Sequence, residues 1–268
     1  MPTIAENKRE WDGQYVWAEK GEEWSGPWGE TALQWYATLL PRIHRFVPAP
    51  TILEIACGYG RWTQYLKDLC ERLILVDLSK ECIDACRERF ASAQHLEYHV
   101  NNGTSLSMIA DSSVDFAFTF DSLVHVEPAV LSAYFAEFRR VLSPNGVAFI
   151  HHSNLGEYRD KYQMIRHIPK LEGLLITMKV LDPFLHWRDP GVSAGEVERL
   201  ASANGLRCIT QEIVHWRTDR AMIDCISTIV KQGSSLERPN MLFRNPHFMH
   251  EAKNAAQLSQ FYGRGARR

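Results

Sequence analysis

A chain of 268 residues, 45% hydrophobic and 23% charged, has ordinary globular composition and is long enough for one large α/β domain with a lid or extension. Its net charge of −2 offers no basic field to recruit nucleic acid. No apolar run reaches about 18 residues, so no membrane span is expected, and residues 1–10 lack the apolar core of a signal peptide.

The first thirty residues hold four tryptophans, Trp11, Trp17, Trp24 and Trp28, among charges and glycines. A flexible tail rarely carries so many, so they are expected to pack over the core or a ligand. Residues 31–46 have helical apolar spacing, broken by Pro41, and Pro48 and Pro50 mark the entry to a first strand at 51–56. A glycine turn at 57–60, a helix at 61–70 and a second strand at 72–77 follow. Ser79 caps a helix reaching Phe90, with Cys82, Ile83, Cys86 and Phe90 on one face. Strands are predicted at 95–100, 114–120 and 147–151, the last two separated by a helix from Pro128 to Leu142 and a turn at 143–146. This alternation predicts a parallel sheet with crossover helices.

The rhythm changes at residues 155–192, which read as a helical or loop insertion near the strand ends. A helix at 193–204, capped by Ser193, precedes strands at 206–214 and 221–231, whose short connection makes them antiparallel. A helix at 248–261 lies on the body, and Gly263–Arg268 reads as a frayed terminus. Six scattered cysteines (Cys57, Cys70, Cys82, Cys86, Cys208, Cys225) form no CxxC pair, so no metal knuckle is expected and a reduced cytoplasmic setting is the default.

The chemistry is concentrated in Thr51-Ile-Leu-Glu-Ile-Ala-Cys-Gly-Tyr-Gly-Arg-Trp-Thr63 and Leu73-Ile-Leu-Val-Asp77. A strand, a glycine turn, a helix and a strand ending in an acid hold a nucleoside at the carboxyl ends of an α/β sheet. The glycines admit a ligand close to the backbone, and Asp77 can accept from a ribose diol. A dinucleotide site wants a third glycine, but Gly58-x-Gly60-x-x-Thr63 lacks it. Glu54 inside the strand would repel a diphosphate and draw a cationic amino-acid moiety. The pattern therefore favours S-adenosylmethionine over NAD.

Residues 50–152, with the strand pair at 206–231, resemble the class I S-adenosylmethionine-dependent methyltransferases. Glu54-Ile-Ala56-Cys57-Gly58-Tyr-Gly60 resembles the family's acid-and-glycine turn, with Thr63 opening the helix beyond it. The resemblance implies that Asp77 binds ribose and that Leu78 lies against adenine. It implies that Asn102 (beside Gly103) takes the place of the family's usual Asp toward the adenine amino group, and that Phe120–His125 bridges cofactor and substrate. The fold implied is a Rossmann-like, doubly wound, mostly parallel seven-stranded sheet with an antiparallel final strand pair, an N-terminal lid and an insertion after strand five. The whole chain is then one domain: lid 1–48, cofactor core 49–154, insertion 155–192, sheet completion 193–232 and extension 233–268.

His125 is the first candidate for a general base, because related small-molecule and sugar O-methyltransferases place a histidine there and its free pKa is about 6.5. His151 and His152 follow at a strand end, where alternation lets at most one line the cleft. Asp121 is placed to orient His125 or to touch the cofactor amino group. No close His/carboxylate spacing marks a metal site. Trp28, in Trp24-Ser-Gly-Pro-Trp28-Gly29, forms a turn able to face the cofactor, and His186-Trp-Arg188 and His215-Trp-Arg217 repeat a word suited to a sugar face. The motif set is similar to that of bacterial methyltransferases of surface-polysaccharide or natural-product assembly, which implies a glycan or small-molecule hydroxyl acceptor. Nitrogen or carbon acceptors, a non-catalytic cofactor-binding protein and an NAD-dependent oxidoreductase are the alternatives; the sequence leaves oligomeric state open.

Overall fold

The computed structural model describes residues 3–160, 171–178, 187–216 and 221–262. Eight strands form one sheet in the order β3-β2-β1-β4-β5-β7-β6-β8. They are β1 (Ala49–Ile55), β2 (Cys70–Asp77), β3 (Leu96–Val100), β4 (Val114–Thr119), β5 (Leu142–Ser153), β6 (Leu206–Val214), β7 (Asp224–Lys231) and β8 (Met241–Asn245). Strands β3, β2, β1, β4 and β5 pair in parallel, and β7 runs antiparallel between β5 and β6. The order reverses at β1 and β4, so a crevice opens beyond their carboxyl ends, where the glycine turn and the Asp121 loop lie.

The helices are α1 (Ile4–Arg9), α2 (Thr31–Gln34), α3 (Leu40–Ile43), α4 (Thr63–Leu66), α5 (Lys80–Arg89), α6 (Pro128–Val141), α7 (Leu171–Thr177), α8 (Ala194–Ala203) and α9 (Phe248–Tyr262). Ser79 and Ser193 cap α5 and α8, each accepting at 3.2 Å from the backbone N–H three residues on. Pro128 starts α6 where its missing N–H costs nothing.

Two-residue alternation sorts the strands onto two cores. Ile52, Leu73, Phe116, Phe118 and Phe149 face one side with Trp28, Trp35 and Phe248. Leu53, Ile74, Ala117 and Ile150 face the other, with Phe135 and Phe138 of α6.

Four expectations are corrected. The sheet has eight strands, not seven, because Met241–Asn245 runs parallel to β6 along the sheet edge. Those residues are largely exposed on both faces, so no alternation advertises the strand. Pro41 does not break the helical run, because Trp35–Leu39 forms a π-helical turn in which the Leu40 N–H reaches Trp35, and Pro41 falls in the first turn of α3. The helix expected at 61–70 is one α-turn, Thr63–Leu66, and a 3-10 turn, Lys67–Leu69. The turn at 143–146 is an outward bulge within β5, between the Val114–Leu142 and Phe116–Val147 pairs. Much of the 155–192 insertion and the Gly263–Arg268 tail lie outside the described residues, as do His186 and Arg217. Among the described residues, no helix is long and apolar enough to cross a membrane.

Candidate active site

A cavity lies between the carboxyl ends of β1, β2 and β4 and the N-terminal segment. Its floor is the glycine turn. Ala56, Gly58 and Gly60 take left-handed φ of 57°, 54° and 85°, so the chain reverses within five residues of the end of β1. The Gly58 N–H donates to Asp77 Oδ2 at 2.9 Å and the Ser79 N–H to Oδ1 at 2.8 Å. Each carboxylate oxygen keeps a lone pair for a ligand. Burial pushes Asp77 up to about 6, against the lowering effect of the Ser79, Gly58 and Leu78 N–H groups.

The N-terminal segment closes this floor from above. A Cβ on Gly58 would meet the Trp17 ring at 3.1 Å, and one on Gly103 would meet Ile4 at 3.1 Å. Trp17 stacks on Tyr59 with ring centres 4.6 Å apart. Asp12 accepts from Ser79 Oγ at 2.7 Å, tying the segment to α5. Gly60 serves a different purpose: a Cβ there would lie 2.4 Å from the Phe90 ring, so only glycine lets α5 pack on the turn.

Ala56, Cys57, Gly58, Asp77, Leu78, Gly103, Phe120, Asp121 and His125 line the cavity as the sequence suggests. Gly60, Glu54, Thr63, Asn102 and Trp28 do not. Thr63 Oγ1 donates to Glu54 Oε2 at 2.6 Å beneath the floor. Burial, reinforced by nearby Asp77, pushes Glu54 up to about 8, so it carries little charge with which to draw a cation at neutral pH. Asn102 is exposed, and its Oδ1 accepts from Thr104 N, Thr104 Oγ1 and Ser105 N at 2.9–3.1 Å, an Asx turn that shapes the loop. Trp28 is fully buried, donates to Thr38 Oγ1 at 2.8 Å and packs on Trp216 and Phe248. Its size and apolarity anchor the segment in the core, and the tryptophans of the N-terminal segment that face the cavity are Trp11, Trp17 and Trp24.

The other end of the cavity is aromatic and histidine-bearing. His125 sits on a 3-10 turn (Leu123–His125) after β4, half-buried against Trp11 and Trp187 at ring-centre distances of 5.8 and 5.6 Å. Its Nδ1 lies 2.9 Å from the Trp187 carbonyl. A carbonyl only accepts, so Nδ1 carries the hydrogen and Nε2 keeps its lone pair. Burial, then the Arg188 charge, push His125 down to about 4, so the ring is neutral at physiological pH.

His151 and His152 point to opposite faces, and neither lines the cavity. His152 is fully buried between the Ser153 carbonyl at 2.8 Å and Ser227 Oγ at 2.7 Å, both on the sheet itself. His151 stacks on Phe120 and accepts from the Asp121 N–H at 3.1 Å, which puts its hydrogen on Nε2, 3.5 Å from Asp224 Oδ2. Both nitrogens of His152 are therefore engaged inside the protein, whereas His151 is held through Nδ1 and its buried Nε2 has no hydrogen-bond partner among the described residues. His151 instead braces Asp121, whose φ of 63° is unusual for a residue with a side chain.

Several residues were not singled out by sequence reasoning. Arg61 pairs with Asp121 at 2.9 Å, and its Nη1 is buried without a hydrogen-bond partner among the described residues. Its place directly after Gly60 was the available signal. Arg188, expected from the sequence to suit a sugar face, was not expected to grip Asp224, which it does through two 2.7 Å bonds. Asp224, an acid opening an otherwise uncharged stretch before Lys231, was readable as an outlier. Among the described residues, no group of three His, Cys, Asp or Glu side chains could hold a metal ion.

Residues 52–146 match the family model described as "Methyltransferase domain". Over 65 residues the chain is 35% identical to Nodulation protein S of Bradyrhizobium diazoefficiens, a match spanning 24% of this chain and 31% of that protein. Similar solved structures include a SAM-dependent methyltransferase from Methanosarcina mazei (TM-score 0.54, 21% identity, covering 72% of this chain and 98% of that one). Another is an S-adenosylmethionine dependent methyltransferase from Mesorhizobium loti (TM-score 0.53, 14% identity, 74% and 97% covered). At these identities the likeness is one of fold.

Proposed function

The chain carries a methyltransferase domain of the class I S-adenosylmethionine-dependent fold, with residues 52–146 as its matched core, and on that premise we propose that it methylates a hydroxyl of a sugar or other small molecule. The observation that carries this reading is a neutral His125, held in one tautomer with its Nε2 lone pair free, in the same cavity as Asp77 and Gly58.

The residues present fit S-adenosylmethionine. Asp77 has one lone pair per oxygen for the two hydroxyls of a ribose. Gly58 presents bare backbone at the floor beneath Trp17, and Leu78 offers adenine an apolar side. Arg61 brings an unpartnered buried Nη1 to the turn, suited to the methionine carboxylate. When bound, the cofactor supplies a methyl group already activated on a sulfonium. The chain must then align the acceptor and take its proton.

His125 Nε2 is the proton acceptor. The Trp187 carbonyl holds its Nδ1 hydrogen throughout, and the charges of Asp121 and Asp224 favour the imidazolium that results. Trp11 and Trp187 offer flat faces on which a sugar ring can stack beside the base. The low proton affinity of His125 favours a second reading, transfer to the nitrogen of an amine that binds neutral and asks little of a base.

Labelled S-adenosylmethionine incubated with candidate glycans, nucleotide sugars and small alcohols, phenols and amines identifies the acceptor by label transfer. For a hydroxyl acceptor, His125→Gln is expected to lower turnover by about 10²–10⁴-fold without altering S-adenosylhomocysteine affinity. A small effect with an amine acceptor establishes the second reading. Unchanged turnover with a hydroxyl acceptor removes His125 from the mechanism.

A further inference from the structure

We propose that Asp224 is a positioning residue for His125, acting through the Arg188 side chain and the Trp187 carbonyl. This rests on the reading of His125 as the base, but its test does not require that reading to hold.

Asp224 opens β7 and is paired on both sides, with Ser153 of β5 and Val214 of β6. It is fully buried, and a carboxylate there has no water to satisfy it. Arg188 supplies that need with a two-pronged grip: Nε to Oδ1 and Nη2 to Oδ2, each 2.7 Å. Burial alone would raise the Asp224 carboxyl. The Arg188 charge and hydrogen bonds outweigh it and hold the group well below the usual carboxylate range.

Arg188 is 2% exposed, so the grip fixes the backbone of its segment against the sheet. The peptide bond between Trp187 and Arg188 contains the carbonyl that receives the His125 Nδ1 hydrogen at 2.9 Å. The short turn bearing His125 has no side-chain cap of its own. The orientation of the imidazole, and the nitrogen left free, therefore depend on a carbonyl anchored through Arg188 to β7. The same carboxylate lies 3.5 Å from His151 Nε2 without a hydrogen bond between them, and His151 Nδ1 receives the Asp121 N–H. Asp224 thus braces the β4 loop at His125, while His151 braces it at Asp121.

The test is the ring tautomer of His125 at neutral pH, read by nitrogen–proton correlation spectroscopy of ¹⁵N-labelled protein. The signal is assigned by its loss in His125→Gln. The native chain is expected to show one form, with hydrogen on Nδ1. Asp224→Asn is expected to lose that single form to a mixture containing the Nε2-protonated ring. Because this variant leaves Arg188 buried without its carboxylate and is prone to unfold, Asp224→Asn/Arg188→Gln, which removes both charges, is measured beside it. S-adenosylhomocysteine binding reports that the folded variants keep the cofactor half. A His125 that stays wholly Nδ1-protonated in the folded variants overturns the proposal, as does a native ring that is not in that form. Failure of His125 as base is read separately, in the turnover of His125→Gln, and leaves the tautomer result standing.

Discussion

Asp77 is buried at the cavity, and the proposed function asks it to bind as an anion. Burial raises its carboxyl to about 6, and the carboxyl is charged only above that pH. S-adenosylhomocysteine affinity is therefore expected to be full above about pH 7 and to fall as pH drops through about 6, measured by calorimetry across that range. Asp77→Asn removes the charge, and losing charge-assisted hydrogen bonds of about 1.5–3 kcal/mol predicts roughly a 10–100-fold weaker complex with no comparable pH step. His125 predicts the opposite kind of profile. Because burial and Arg188 hold it near 4, turnover limited by this base should be flat from pH 6 to 8 and should fall only toward pH 4. An acid limb centred near 6.5 would show that the ring titrates as a free histidine. The positions of Asp77, Gly58 and His125 were legible because each follows a strand end at the spacing a nucleoside cleft demands. The roles of Glu54 and Asn102 were not, because a residue's order in the chain does not reveal which neighbour claims its side chain. Thr63 takes one and the Thr104–Ser105 turn the other.

Among the elements, the N-terminal segment divides into an anchor and a cover. Trp28 is locked in the core by Thr38, Trp216 and Phe248, whereas Trp17 lies over Gly58 and Tyr59 at the cavity. The two tryptophans predict opposite phenotypes. Trp28→Phe should lower the thermal midpoint and leave S-adenosylhomocysteine affinity unchanged. Trp17→Ala should weaken that affinity and leave the midpoint nearly unchanged, since the ring is only half-buried. Calorimetry and thermal melts on the two variants check both. The strands and capped helices of the central region were readable because local signals agree there: Ser79 and Ser193 before helical spacing, Pro128 at a first turn, apolar runs between turns. Strand β8 was not readable, because Met241–Asn245 is held by backbone pairing to one neighbour and its side chains are largely exposed.

At the scale of the molecule, the cavity is walled by the sheet on one side and by the N-terminal segment on the other, so a ligand bound there links the two. Ligand at a hundred times its dissociation constant adds about 2.7 kcal/mol to stability. At about 2–4 °C per kcal/mol for a chain of this size, S-adenosylhomocysteine should raise the thermal midpoint by about 5–10 °C. Asp77→Asn at the same ligand concentration should lose most of that rise. Scanning calorimetry with and without ligand checks both. No rise in the native protein would mean that the cavity does not hold this ligand.

By itself the sequence determined the alternating parallel core, the glycine turn with its acid and the histidine after the fourth strand. Those depend on spacing along the chain, and strand alternation turns spacing directly into position. The tertiary structure decided which polar groups meet. Asp224, Arg188, His151 and Asp121 come from four separate stretches of chain, and only the packing of β5, β7 and the Trp187–Arg188 segment brings them together. It also decided that His152 belongs to the interior, and which three of the four N-terminal tryptophans face the cavity. Burial and partner choice arise between elements distant in sequence, and no local pattern encodes them.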